Sequence, residues 1–372
     1  MKLFKLQPEI HQFAEFTELV EHFKVDERDI IVANNSILDT FIKPLDLKCA
    51  FISPKKYGDG EPSDEIIDNV IKEAKQYQFD RVIAIGGGAV IDIAKFLVLA
   101  DITHSLDVFE KNIELKKVKQ FVAIPTTCGT GSEVTAISVA EIKSKQTKMG
   151  IAINEFLPDY AVLIPELLRN MPYKFFAFSS LDALVHAAES FVSPNSTPYT
   201  EIFAEKAIAL LLKGYKILAE RGTDYYSEII EQFLIASNYA GIAFGNTGVG
   251  PVHALSYPLG GVYHVAHGEC NYTFFTSVFQ TYTEIAPQGK IKRFNDLVIS
   301  TLELAQDADV YAELDSLFNF IWEKQKLNSF GMKESEILAF TDSVIEKQQR
   351  LLSNHYVPFS KQQIIDIYKS LY

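Results

Sequence analysis

The chain has 372 residues, 48% hydrophobic and 22% charged, a globular balance over a length that suits two domains more readily than one. Its net charge is −13, and no cluster of Lys and Arg forms a phosphate-neutralising face, which argues against nucleic acid and against an anionic membrane surface as partners. The N-terminus "MKLFKLQPEIHQF" lacks the pattern of a signal peptide, no later stretch offers about 18 uninterrupted apolar residues, and Cys49, Cys128 and Cys270 lie far apart without CxxC spacing. The expectation is a cytoplasmic protein with no membrane span.

The first half alternates short β-branched runs with helical patterns. "DIIVANN", "CAFISP", "RVIAIGGG" and "FVAIPTTCGTG" read as strands, and "SDEIIDNVIKEAKQYQ" reads as a helix between two of them. This is the rhythm of a parallel sheet with crossover helices. "SVAEIKSKQTKMGIAI" predicts a hairpin around a polar turn, and "YAVLIP" predicts a further strand. After Pro165 the text is helical, broken at "SPNSTP", "GNTGVGP", "YPLGGVYH" and "APQGK". The predicted architecture is therefore an α/β dinucleotide-binding domain with a Rossmann-like parallel sheet over residues 1–170, followed by an all-α domain over residues 171–372.

Two loops at predicted strand ends suit a phosphate-bearing ligand. In "RVIAIGGGAVIDIAKF" a strand passes through Gly86, Gly87 and Gly88 into a helix, so the backbone can approach an anion at the helix's positive end. The GxGxxG spacing is absent, and the same glycines also serve a plain strand-to-helix turn. In "IPTTCGTGSEVT", Thr126, Thr127, Thr130 and Ser132 supply hydroxyls at the carboxyl end of another strand. Ligands of open α/β sheets bind outside those ends, so both loops can close on one dinucleotide. Lys148 in "TKMGI" is a candidate for a phosphate or for the reacting end of a cofactor, and equally for solvated surface.

The helical half carries metal-ligand chemistry. "SSLDALVHAAESFVS" reads as an amphipathic helix with Asp182 and His186 four residues apart on one face. Alone, such a pair is more often a solvated face. His253 falls in a predicted short helix stopped near Pro258, and His267 stands at the start of the next helical pattern. Three imidazoles and one carboxylate suit Fe²⁺ or Zn²⁺ with room for a substrate oxygen, although their convergence does not follow from spacing.

Gly86 to Asp92 as GGG-xxx-D, "PTTCGTGSE", "DALVH" and the His253/His267 pair, in that order along nearly the whole chain, resemble the iron-containing (group III) alcohol dehydrogenases. "KYGDGEPSDE", "NYAGIAFGNTGVGPVHALSYPLGGVYHVAHGECNY" and "DSVIEKQQRLLSNHYVPFS" look most like that family's 4-hydroxybutyrate dehydrogenase branch. The resemblance implies NAD(H)-dependent interconversion of a small alcohol and aldehyde, most simply 4-hydroxybutyrate and succinate semialdehyde. It implies one divalent metal, Fe²⁺ or Zn²⁺, held by Asp182, His186, His253 and His267 in a cleft between the domains. It also assigns Gly87 and Gly88 to the pyrophosphate, Thr126, Thr127 and Lys148 to the cofactor, and a homodimer or larger homo-oligomer to the assembly.

Three positions depart from the family pattern. Tyr257 replaces a histidine that takes part in proton transfer in many relatives, so Tyr257 joins His267 as a catalytic candidate, with Tyr263 and His264 as neighbours. Asn34 stands where relatives often carry an NADP-repelling aspartate, and Ala89 replaces a serine while keeping its N–H. With Ser132, these complete the candidate cofactor contacts. The partner of a substrate carboxylate is open between Arg350 and the lysines of "EIKSKQTK". Alternative activities are another short-chain alcohol or diol dehydrogenase and a dehydroquinate-synthase-like, NAD- and metal-dependent lyase.

Overall fold

Three apolar runs, β2 (Asp29–Ala33), β4 (Arg81–Gly86) and β5 (Gln120–Pro125), form the middle of a six-stranded sheet. Both faces of a parallel sheet are covered, which is why these strands read as continuous rather than alternating hydrophobics. The computed structural model describes residues 2–58, 60–145 and 147–372. With β1 (Glu9–Gln12), β3 (Ala50–Ile52) and β8 (Tyr160–Leu163), the sheet order is β1-β8-β5-β4-β2-β3, all pairs parallel. The edge strand β1 is absent from the sequence reading, because its four residues are short and largely exposed, with no apolar run to mark them.

Local chemistry fixes these elements. Helix α1 (Asp64–Ala74) begins at Ser63, whose side chain accepts from the Ile66 N–H, with Asp64 and Glu65 at its positive end. Its buried face, Ile66, Ile67, Val70, Ile71 and Ala74, follows the helical period and packs in the sheet's core cluster. Arg81 grips Asp29 with two hydrogen bonds of 2.7 Å, which pins the amino ends of β4 and β2 together. The expected hairpin forms from β6 (Ile137–Ile142) and β7 (Thr147–Ala152), antiparallel, while Gln146 in its polar turn lies outside the described residues.

The chain reverses its direction of travel across the sheet beside β4. From β2 it moves outward to β3, and from β4 it moves the other way to β5. The carboxyl ends of β2 and β4 thus flank a topological switch point, the place where open α/β sheets take ligands. Asn34 follows the first of these ends and Gly87 the second.

The chain folds as two compact units, Leu6–Asn170 and Met171–Tyr372, with residues 2–5 belonging to the second. The second unit is helical. Helix α3 (Tyr173–Val192) packs against α4 (Pro198–Arg221), α5 (Ile230–Thr247) and α7 (His267–Ile285), and α6 (Pro251–Tyr263) packs on α7. By length and composition α3 is apolar enough to cross a membrane, and 89% of its most apolar window is buried inside this unit.

Two sequence expectations are corrected here. Helix α3 is not amphipathic: it is surrounded by partners, so apolar residues appear on every side and the hydrophobic period vanishes. Helix α6 does not stop at Pro258 but runs through it to Tyr263, where His264 adopts a left-handed conformation and ends it. A proline costs one backbone hydrogen bond, and the buried Val252, His253, Leu255 and Leu259 hold the helix across that gap.

Candidate metal centre and cofactor loops

Helix α3 places Asp182 and His186 one turn apart in the interior, with 3% and 6% exposure, which excludes a solvated face. Asp182 Oδ1 lies 4.0 Å from Nε2 of His186, 4.0 Å from Nε2 of His253 and 3.9 Å from Nε2 of His267. All four ligand atoms fall within 4.8 Å of one another. The sequence alone did not require this convergence. It arises because α3, α6 and α7 meet in one core.

Particular small residues permit that meeting. A Cβ on Gly268 would stand 2.2 Å from the Phe178 carbonyl oxygen, so only glycine lets the start of α7 press His267 against α3. A Cβ on Gly250 would meet Asn354 O and Glu189 Oε1 at 3.2 Å each, just before α6 begins. The His186 ring is held between Phe244 and His253, with centroids 4.2 and 4.8 Å away and planes 20° apart in both cases.

Glu189, Asn271 and Ser256 orient the set, and the sequence reading did not name them. Glu189 accepts from the N–H groups of Gly250 (2.9 Å) and Val252 (2.7 Å), and its Oε2 lies 2.7 Å from His253 Nδ1. As an acceptor of backbone N–H groups it favours a proton on Nδ1, leaving the Nε2 lone pair to face the cluster. Asn271 donates to Asp182 Oδ1 at 2.7 Å, and Ser256 donates to Asn271 Oδ1 at 2.6 Å. Each was findable by helical spacing: Glu189 is seven residues after Asp182, Asn271 four after His267, and Ser256 three after His253.

The electrostatics suit a cation. Burial raises the Asp182 carboxyl pKa, but the three imidazoles and Asn271 outweigh it and hold the group below the usual carboxylate range. Burial, then the charges of His186 and His267, push His253 well below its ordinary value, with Arg350 adding to the same effect. Burial raises Glu189 to about 7. His253 Nε2 is buried with no hydrogen-bond partner among the described residues, an unsatisfied acceptor aimed at the other ligand atoms.

The donor set therefore fits a divalent metal. A tetrahedron with edges of about 4 to 4.8 Å has its corners about 2.4–2.9 Å from the centre, so the donors need to contract to reach bonds of about 2.0–2.2 Å. His267, 41% exposed at its side chain, is the open side of the cluster. Tyr257 reaches that side, its ring centroid 6.2 Å from that of His267. The Tyr263 hydroxyl instead donates to Glu336 at 2.6 Å, and His264 is exposed.

In the α/β unit, the glycine turn and the threonine loop lie side by side. Gly86 pairs with Pro125 across β4 and β5, and the Thr126 N–H donates to the Gly86 carbonyl at 3.0 Å. Gly87 is the extended residue before α2 (Gly88–Ala94), on which Ala89 is half-buried. A Cβ on Gly88 would stand 2.7 Å from Thr130 Cγ2, and one on Gly87 3.3 Å from Thr127 Cγ2. Thr127 Oγ1 is buried with no hydrogen-bond partner among the described residues. Glycine N–H groups at a helix start beside an orphaned hydroxyl suit a ligand rich in acceptor oxygens.

Not every candidate faces these groups in the same way. Asn34 sits at the carboxyl end of β2, half-exposed, with no capping hydrogen bond. The Ser132 hydroxyl is committed inside the fold, accepting from Lys95 at 2.6 Å and donating to Asp92. Lys148 lies on an exposed position of β7 and pairs with Glu61.

Residues 9–165 match the family model described as iron-containing alcohol dehydrogenase, and residues 176–372 match the Fe-containing alcohol dehydrogenase family, C-terminal. The chain belongs to the iron-containing alcohol dehydrogenases. Over all 372 residues, 100% of both chains, this dehydrogenase is 52% identical to the 4-hydroxybutyrate dehydrogenase of Clostridium kluyveri. Its fold matches 1,3-propanediol oxidoreductase with a TM-score of 0.85 at 21% identity, covering 100% of each chain. It also matches the sulfoacetaldehyde reductase of Bifidobacterium kashiwanohense in complex with NAD+ with a TM-score of 0.83 at 22% identity, covering 100% of this chain and 99% of that one. The dehydrogenase is an NAD-dependent, metal-containing enzyme acting on a small alcohol or aldehyde.

Proposed function

We propose that this dehydrogenase interconverts 4-hydroxybutyrate and succinate semialdehyde, with residues 1–170 binding NAD(H) and residues 171–372 binding the metal and the substrate. The observation that carries the reading is the four-donor cluster of buried Asp182, His186 and His253 with the more exposed His267, and its orphaned His253 nitrogen. The full-length identity to the Clostridium kluyveri enzyme supports the choice of substrate. The three cysteines, odd in number and far apart without CxxC spacing, support a reducing, cytoplasmic location. A homodimer or larger homo-oligomer is proposed on family resemblance alone.

A divalent cation on these donors supplies stabilisation of the negative charge that grows on the aldehyde oxygen as hydride reaches carbon. Glu189 holds His253 in the tautomer that presents Nε2, and Asn271 holds the Asp182 carboxylate in place. The Tyr257 hydroxyl, at the exposed side of His267, is positioned to hydrogen-bond the substrate oxygen or pass it a proton. Gly87, Gly88 and the Thr126–Thr127 backbone receive the pyrophosphate, while Ala89 offers its N–H and Asn34, lacking a negative charge, meets the adenosine ribose. Ser132 supports the loop from inside, and Lys148 must leave Glu61 to reach a cofactor.

Arg350 is the residue we assign to the substrate carboxylate. Its short helix, Gln349–Leu352, packs against α6, its charge is felt at His253, and its guanidinium makes no ion pair among the described residues. The competing lysines are each occupied: Lys143 by Glu65, Lys145 by Glu110 and Lys148 by Glu61. A guanidinium fork also matches a carboxylate better than an ammonium does.

The test is NADH oxidation by the purified, Fe²⁺- or Zn²⁺-loaded protein, with succinate semialdehyde and butyraldehyde in parallel and NADPH as a control. Fast turnover of the semialdehyde, with much slower butyraldehyde, is the expected result. Equal turnover of the two aldehydes overturns carboxylate recognition, and no oxidation with any aldehyde overturns the dehydrogenase reading.

A further inference from the structure

Asn354 is buried, four residues past Arg350, and it is not one of the groups that orient the four donors. Its amide ties three pieces of the helical unit together. Oδ1 accepts from the Ser193 hydroxyl (2.5 Å), at the end of α3, and from Asn195 Nδ2 (3.1 Å), while Nδ2 donates to the Val249 carbonyl (3.2 Å) in the turn before α6. A leucine of similar size would fill the space and leave those groups unpaired.

The backbone closes the same corner. The Asn354 N–H donates to the Leu351 carbonyl (3.0 Å), and the Tyr356 N–H donates to the Tyr282 hydroxyl (3.4 Å). Gly250 fits between the Asn354 carbonyl and Glu189, each 3.2 Å from where its Cβ would stand. On the α3 side, Lys290 donates to the Ser193 carbonyl (2.7 Å) and the Asn195 N–H to the Ser193 hydroxyl (3.0 Å).

This corner holds the single turn Gln349–Leu352. A helix of 4 residues has no stability of its own, so its placement follows from its anchors. Leu351 and Leu352 are buried, Arg350 is exposed, and Asn354 fixes the chain as it leaves the turn. The same amide holds the start of α6, the helix that carries His253. One side chain therefore sets where Arg350 stands relative to the donor cluster.

We propose that Asn354 is a positioning residue for substrate length: it fixes the separation between Arg350, which meets the carboxylate, and the donor cluster, where the aldehyde oxygen reacts, and so selects a four-carbon ω-oxo acid over its homologues. The inference rests on the assignment of Arg350 to the substrate carboxylate. A carboxylate and an aldehyde joined by a set number of methylenes reach both partners together at one span, and an added methylene must buckle or lift one end away. Butyraldehyde has no carboxylate, so it reports the chemistry at the aldehyde end alone.

The experiment uses full-length, metal-loaded protein and measures kcat and KM with NADH for succinate semialdehyde, its five-carbon homologue 5-oxopentanoate, and butyraldehyde, beside thermal melts and metal analysis. The wild type is expected to favour the four-carbon acid over the five-carbon one by about tenfold or more in kcat/KM. In Asn354→Ala that preference should shrink to about threefold or less, with kcat/KM for succinate semialdehyde down about tenfold, chiefly through KM, and butyraldehyde within about threefold of wild type. Ser193→Ala keeps Asn195 and Val249 on the amide and should lower the chain-length preference by about threefold. An Asn354→Ala protein that loses all three aldehydes in the same proportion, or that keeps the wild-type chain-length preference, overturns the proposal. If that variant does not fold, an unchanged preference in Ser193→Ala overturns it instead, and so does a wild type that does not distinguish four carbons from five. A wild type that reduces butyraldehyde as well as the semialdehyde removes the carboxylate assignment and the inference with it; a preference that Arg350→Met abolishes and Asn354→Ala leaves intact sinks the inference alone.

Discussion

The candidate metal centre of the helical unit is built from side chains held in a helical core, whereas the candidate cofactor loops of the α/β unit are built from backbone and side chains of minimal size. At the centre, four donors come from three helices, and Glu189, Asn271 and Ser256 leave each little freedom. In the loops, the candidate recognition groups are N–H and hydroxyl groups beside glycines whose missing Cβ atoms let the threonine loop pack against the turn. A damaged donor cannot be replaced from nearby, while a damaged loop still offers neighbouring N–H groups. Single substitutions should therefore be severe at the centre and graded in the loops.

The largest effect is expected for His267→Ala, which removes the exposed donor while leaving the α/β unit untouched. Aldehyde reduction should fall at least about 10³-fold with metal content well below one per chain, and NADH affinity should stay as in the wild type. Metal analysis beside a fluorescence titration checks both halves. Near-normal turnover would remove His267 from the ligand set.

Glu189→Gln comes next. The amide keeps the shape but sets an NH₂ where a carboxylate oxygen met the Gly250, Val252 or His253 N–H groups. Metal affinity should drop about 10–100-fold, measured by chelator competition, with NADH binding unaltered. Arg350→Met should follow, lowering kcat/KM for succinate semialdehyde by about 10–100-fold while leaving butyraldehyde within about twofold. Equal losses on both aldehydes would mean that Arg350 supports the fold rather than the substrate.

The same contrast explains what the sequence made legible. Buried parallel strands announce themselves as apolar runs, so the α/β architecture and its helical companion were readable, and the short, exposed β1 was not. Asp182 and His186 were visible as a pair, but α3 buries all its faces, so periodicity misread the side on which that pair lies. The breaks at "SPNSTP", "GNTGVGP" and "APQGK" coincide with helix ends, whereas Pro258 did not stop α6, because packing on both sides of it outweighs one lost hydrogen bond. Glu189 and Asn271 went unread, although helical spacing puts them on the ligand side of their helices, because a carboxylate or amide in a helix is ordinarily solvent-facing. The Ser132 hydroxyl showed the opposite problem: its loop suited a cofactor, and its side chain turned inward to Lys95.

The smallest effects, and the sharpest test of a graded loop, come from paired glycine substitutions. A Cβ at Gly88 would stand 2.7 Å from Thr130 Cγ2 and 2.9 Å from Thr130 Oγ1, so Gly88→Ala must move that threonine or the turn itself. At Gly87 the nearest contact would be 3.3 Å, to Thr127 Cγ2, which a few tenths of an ångström of side-chain motion relieves. Gly88→Ala should weaken NADH by about tenfold and Gly87→Ala by about two- to threefold, with metal content and melting temperature of both near wild type. If the order is reversed, the pyrophosphate lies against Gly87 rather than Gly88, because a methyl group placed directly under the ligand costs more than one placed against a threonine that can turn. If neither change alters NADH affinity, the glycine turn does not hold the cofactor.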